Sequence, residues 1–161
     1  MKRFIGILFL LFGTLAYAQV RSYSDMTSKT FIVGLDSYFY GPSGTLDFNA
    51  GDQSFQVSVS PEGVTVNGQR LGEGGDAVVG VHDFTNNRVP ELVLALRHPS
   101  SGAISISIYA LQDTSWASVG QMEIQDADQV RIFRQVISAR SGEVLQTWTW
   151  RDQRFDYKAS K

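Results

Sequence analysis

Five apolar residues in a row, Leu92-Val93-Leu94-Ala95-Leu96, constrain this chain more than any other stretch. Pro90 stands just before the run, and Arg97, His98 and Pro99 stand just after it. That spacing leaves room for a strand and too little for a helix. Successive side chains of a strand point to opposite faces, so a strand apolar at every position must be covered on both sides. Glu91–Arg97 is therefore expected in the middle of a sheet with a packed layer above it and another below. Outside the signal, no stretch sustains an apolar period of 3.6 residues, so the domain should be built from strands.

The remaining segments agree with that expectation. Thr30 to Tyr40 is rich in β-branched and aromatic residues and stops at Gly41-Pro42-Ser43-Gly44, a turn. Thr45 to Phe48 reads as a short return strand. Ser54 to Ser60 alternates, with Phe55, Val57 and Val59 on one face and polar residues on the other. Val64 to Val66 follows a Pro61-Glu62-Gly63 turn, and Asn67-Gly68 is the favoured dipeptide of a two-residue hairpin. Leu71 to Asp76 is glycine-rich and reads as loop. Ala77 to Val81, Ala103 to Leu111, Trp116 to Ile124, Val130 to Ser138, Val144 to Trp150 and Phe155 to Tyr157 read as further strands, with a turn at Gln125 to Gln129. The fold class is all-β: an antiparallel β-sandwich or strongly twisted meander of about 9–11 short strands.

The first residues have the parts of a secretory signal in order. Lys2 and Arg3 are basic, Phe4 to Leu15 is an apolar run short for a membrane span, and Ala16-Tyr17-Ala18 is a small-x-small cleavage pattern. The expected organisation is a signal helix over 1–18, a flexible leader over 19–29 and one all-β domain over 30–161. Cleavage after Ala18 would leave 143 of the 161 residues, enough to bury a core unaided. The chain has no cysteine, so disulfides, a lipidated cysteine, thiolate metal sites and a cysteine nucleophile are excluded. The expected location is periplasmic or secreted, with no membrane span left after cleavage. Of 14 basic side chains two, Lys2 and Arg3, lie in the signal, so residues 19–161 carry 12 against 16 acidic ones, a net charge of −4. That balance argues against nucleic acid, whose phosphates call for a basic surface.

His82-Asp83-Phe84-Thr85-Asn86-Asn87-Arg88-Val89-Pro90-Glu91-Leu92 joins the central strand to the one before it. From Asp83 to Leu92 it resembles the calcium-loop corner of FG-GAP and VCBS-type extracellular repeats, which carry a pattern like D-x-N-x-D-G-x-x-E/D-L between strands. Calcium takes six to eight oxygens, which acidic and amide side chains on alternate loop positions supply together. The resemblance implies Asp83, Thr85, Asn87 and Glu91 as the metal ligands. Arg88 stands where the family has its turn glycine, and only two of the four ligands carry charge. The preferred expectation is a corner that keeps the family's shape without the ion, with calcium as the alternative. In it Asp83 would accept from the amides of Thr85 or Asn87 as in an Asx-turn, and Arg88 could serve as an internal countercharge. A whole propeller would need more chain than this.

Other chemistry has thinner support. His82 and His98 end strands near this loop and could approach one another, but no H-x-x-x-H or H-E-x-x-H spacing marks a metal or acid–base site. There is no G-x-S-x-G, and Gly72 to Gly75 lacks the lysine of a phosphate loop. Tyr38, Phe39 and Tyr40, with Trp150 and Tyr157, form a candidate binding patch, since Tyr and Trp dominate binding hot spots. The same residue types also pack strand cores. The reading is an exported β-domain acting by binding or as a structural module, without catalysis or cofactor, whose partner is a protein or a glycan. The alternatives are an inhibitor or immunity-type protein with Leu71 to Asp76 as a protruding loop, and a secreted hydrolase with a site assembled from scattered residues.

Overall fold

The computed structural model describes residues 30–75 and 77–161; the expected signal helix and leader lie outside them. Among the described residues, fourteen strands form three sheets. The first sheet combines β1 (Ile32–Val33), β11 (Val130–Phe133), β12 (Val136–Ser141), β13 (Val144–Arg151) and β14 (Arg154–Ser160), in that order. The second runs β10 (Ser115–Ile124), β9 (Ile104–Gln112), β8 (Glu91–Arg97), β7 (Ala77–His82) and β2 (Ser37–Gly41). The third is a four-strand meander of β3 (Gly44–Ala50), β4 (Gln53–Ser60), β5 (Gly63–Val66) and β6 (Gln69–Gly72). These are called sheets A, B and C. Every pairing is antiparallel except β1 with β11.

Sheet B is the middle layer, and the apolar run of β8 explains why. Val93 and Ala95 feed a core shared with sheet A, where Ile132, Ile137, Trp148 and Trp150 meet Ile104, Ile106 and Ile108. Leu92 and Leu94 feed a second core shared with sheet C, among Phe55, Val57, Val59, Val64 and Val66. β7 behaves alike: Val78 faces the first core, while Ala77, Val79 and Val81 face the second. β8 pairs with β7 on one side and β9 on the other, so its backbone is satisfied along both edges. The strand is central in both senses.

Three local readings need correction. Thr30 to Tyr40 divides into β1 in sheet A and β2 in sheet B. Gly34 makes the crossing at φ 95°, where a side chain would also strike the Ile132 carbonyl, so only glycine fits. Val130 to Ser138 is a hairpin, because Arg134 adopts a left-handed φ of 53° and reverses the chain with Gln135. Neither residue belongs to the usual turn vocabulary, so composition hides the bend. Leu71 and Gly72 belong to β6, held by the Tyr109 hydroxyl donating to the Leu71 carbonyl at 2.7 Å. Unforeseen splits of this kind raise the strand count to fourteen.

Sheets B and C are also joined by one side-chain amide. Gln69 Oε1 accepts from the Trp116 amide at 2.9 Å, and its Nε2 donates to the Trp116 carbonyl at 2.8 Å. The carboxamide thus pairs with β10 as another strand would. It seats Trp116 against Phe48 and Phe55, with ring centroids 5.7 and 5.2 Å away.

Candidate functional site

β7 ends at His82, and the next eight residues, Asp83 to Pro90, turn the chain back into β8. Asp83 organises this corner. Its Oδ1 accepts from the Asn87 amide at 3.1 Å and from the Thr85 hydroxyl at 3.3 Å, and its Oδ2 accepts from the Arg88 amide at 2.8 Å. Asn87 Oδ1 accepts in turn from the Val89 amide at 2.7 Å. Glu91 Oε2 accepts from the Phe84 amide at 2.8 Å. The side-chain oxygens thus satisfy amides that a tight corner would otherwise leave open.

Two residues of the corner are left-handed, Asn86 at φ 58° and Arg88 at φ 70°. Arg88 holds the conformation for which the resembling repeats use glycine, at the strain any side chain meets there. Its backbone amide, rather than its guanidinium, meets Asp83. Among the described residues the ion pairs are His82–Asp36 and Arg154–Asp156, so the expected Arg88 countercharge is not formed.

Glu91 is the unusual group. It is 3% exposed, at the base of the loop opposite His82 in the β7–β8 register. Burial holds its carboxyl above the usual 4.5, and the nearby Asp83 charge adds to this; the Phe84 amide and the Thr85 hydroxyl oppose the rise. The Thr85 hydroxyl, with one proton to donate, thus lies within reach of both carboxylates. The structure therefore brings Asp83, Thr85 and Glu91 to one point, with Asn87 turned toward Val89.

Phe84 was not singled out as a site residue, yet it is fully buried. Its ring leaves the loop for the first core, with centroids 4.7 Å from His82 and 5.3 Å from Phe155. A lone aromatic inside a polar loop is the signal that could have identified it. His82 is buried beside it: Nε2 lies 2.7 Å from the Arg134 carbonyl, and Nδ1 lies 3.3 Å from Asp36 Oδ2, off the line of a hydrogen bond. The imidazole ties the corner to the β11–β12 turn. His98 sits at the far end of β8, bonded to Ser105 Oγ at 2.6 Å. At about 3.3 Å per residue the two histidines are roughly 20 Å apart, too far to share a proton or an ion.

The five aromatic candidates do not form one surface. Tyr38 packs against the first core and Phe39 against the second, the latter with its ring over Gly44. Trp150 is 9% exposed and belongs to the first core. Tyr40, on β2, and Tyr157, on β14, are the exposed members, on opposite edges of the facing sheets. Burial competes with display for strand aromatics, and here burial takes most of them. Leu71 to Gly75 is packed down as well: a side chain at Gly74 would strike the Ser60 and Pro61 carbonyls.

A polar groove of about 600 Å³ lies elsewhere, on sheet A. The Asp126 to Gln129 turn, anchored by Arg97 donating to the Asp128 carbonyl at 2.7 Å, forms one wall. Arg131, Ser138, Arg140 and Leu145 line the rest, so two carboxylates and two guanidinium groups share the depression without pairing with one another.

Compared with protein-family models, curated proteins and solved structures, the chain matches none of them.

Proposed function

We propose that this is an exported, non-catalytic β-domain that acts by binding, and that a polar protein segment or glycan is held on sheet A. The observation that carries the reading is the groove beside the Asp126 to Gln129 turn. It holds unpaired charges of both signs, Asp126 and Asp128 on the turn and Arg131 and Arg140 on the strand floor. A ligand offering both donors and acceptors would pair with them. The Asp83 corner supports the non-catalytic half: its carboxylates hold the loop's own amides, which suits a brace between strands better than an ion cage or an acid–base pair. Export rests on the basic, apolar and Ala-x-Ala order of residues 2–18.

The test is affinity capture with the full chain, tagged at its C-terminus, from periplasmic and extracellular fractions. The expected result is a processed protein beginning at Gln19, bound to one stoichiometric protein or glycan. That partner should be lost when Arg131 and Arg140 are changed to alanine. A ligand retained by the double variant, or turnover of ester, peptide or glycoside substrates, would overturn the reading.

A further inference from the structure

One edge of sheet A is the two-residue β1; the other is β14, whose backbone geometry follows from its hairpin. β13 and β14 are joined through Asp152 and Gln153, both left-handed at φ 47° and 66°, with Arg151 opposite Arg154. In a two-residue hairpin the closing pair exchanges both of its backbone hydrogen bonds, and bonded and non-bonded pairs alternate from there. Arg154, Asp156 and Lys158 therefore turn their N–H and C=O groups toward β13. Phe155, Tyr157 and Ala159 turn theirs toward the open edge. The side chains divide by face: Tyr157 lies opposite Trp148 on the core face, rings 5.2 Å apart, yet is 58% exposed. Asp156 and Lys158 lie on the outer face opposite Thr149 and Thr147.

An edge of this kind is a template for another strand. Other open edges are less suited to it. The β10 ladder shifts between Ser118 and Gly120, β6 is four residues long, and β3 carries a single charge, Asp47, already held by Gln56 Nε2 at 2.8 Å. β14 has seven residues and alternating charges, Arg154, Asp156 and Lys158.

We propose that β14 pairs antiparallel with β14 of a second copy, about a two-fold axis at Tyr157. In that register Asp156 stands opposite Lys158 of the second copy, and the reverse pair repeats it across the axis. Phe155 meets Ala159, and the two Tyr157 residues meet each other, closing about six backbone hydrogen bonds. Shifted one residue, with the axis at Asp156, the same strands would set Asp156 against itself and Arg154 against Lys158. Like charges directly opposite oppose the register centred on Asp156, and an axis at Phe155, though complementary in sign, would run the ladder into the Asp152-Gln153 turn, so the register centred on Tyr157 is favoured. Arg154 already contacts Asp156 at 3.1 Å within the strand, but that pair is exposed and weakly held, so Asp156 remains available to Lys158. The pairing also covers the exposed Tyr157 ring and joins the two copies of sheet A into one.

Sedimentation velocity on the full-length exported protein over a concentration series tests this. The wild type should show a monomer–dimer equilibrium. Lys158→Asp and Asp156→Lys should each weaken it at least about tenfold, and the double exchange should restore it to within about threefold. These positions are exposed, so thermal melts at concentrations where the wild type is monomeric should stay unchanged and separate lost pairing from lost folding. The cysteine-free chain allows a second reading. Tyr157→Cys should cross-link under mild oxidation, because facing Cα atoms of a bonded pair lie about 5.5 Å apart. Asp156→Cys should not, its counterpart being beyond about 7 Å. A protein monomeric at the highest concentrations, a dimer indifferent to single charge reversals, or cross-linking through position 156 would overturn the proposal.

Discussion

Replacing Asp83 with alanine asks whether the corner is held by its own amides or by an ion. The carboxylate accepts three hydrogen bonds, from the Asn87 and Arg88 amides and the Thr85 hydroxyl. A bond to a charged acceptor contributes about 1.5–3 kcal/mol when buried. Asp83 is only half-buried, and donors released from it can be hydrated, so about 1 kcal/mol each is the fitting figure, about 3 kcal/mol in all. For a domain of this size that lowers the Tm by about 9–15 °C. Asp83→Asn keeps one acceptor oxygen and should lose about half as much. Circular dichroism melts of wild type and both variants, each with EDTA and with millimolar calcium, provide the assay. A self-bonded corner loses the same stability in both media, and the wild-type melts coincide. If calcium raised the wild-type Tm, and Asp83→Ala differed from it only in calcium, the reasoning would be refuted and Asp83 would be an ion ligand.

Glu91 carries a pH signature. Its carboxyl titrates higher in the folded chain than in the unfolded one, so the folded state holds the proton longer and stability falls as pH rises from about 4.5 through the raised value. Glu91→Gln keeps an acceptor for the Phe84 amide and should gain on wild type as pH rises from 4 to 8 in urea unfolding; a constant difference across that range would exclude the effect. Phe84→Ala empties a fully buried site between His82 and Phe155 and should cost about 3–5 kcal/mol by the same measurement. Arg88→Gly relieves a left-handed side chain but loosens the unfolded chain, and should change stability by less than about 0.5 kcal/mol. A larger loss would show that the Arg88 side chain holds the loop. Gln69→Ala removes both bonds to the Trp116 backbone and should cost about 1–3 kcal/mol, with a change in Trp fluorescence.

What could be read in advance follows the range of the interaction that decides it. The two-faced β8 run announces two covering layers because burial of every position is a local property of the pattern. Asn67-Gly68 announces its hairpin because the dipeptide suits the left-handed φ of 44° and 85° that it adopts. The Arg134-Gln135 turn and the crossing at Gly34 depend on neighbours far along the chain, Ile132 beside Gly34 and His82 beside Arg134. No window of a dozen residues contains that information. The Asp83 corner was legible in part: the bond from the Asn87 amide is as expected, but Asp83 reaches the amides four and five residues on, and the two-residue Asx bond belongs to Asn87. The burial of Glu91 was not, because it depends on Phe84 folding back toward Phe155. Tyr40 and Tyr157 were joined on residue type alone, and sheet order separates them.

The short pairing of β1 with β11 bears on how the molecule comes into being. Ile32 lies beside Val130 and Val33 beside Arg131, so the first described strand finds its neighbour 98 positions later. Sheet C and strands β7 to β10 can assemble from hairpins as the polypeptide emerges, but this first strand cannot. It stays unmatched until nearly the whole chain has left the ribosome or a translocation pore. A chain stalled before β11 should keep Phe31 and Ile32, buried in the finished molecule, open to a holding chaperone, and the arrival of Val130 would end that dependence.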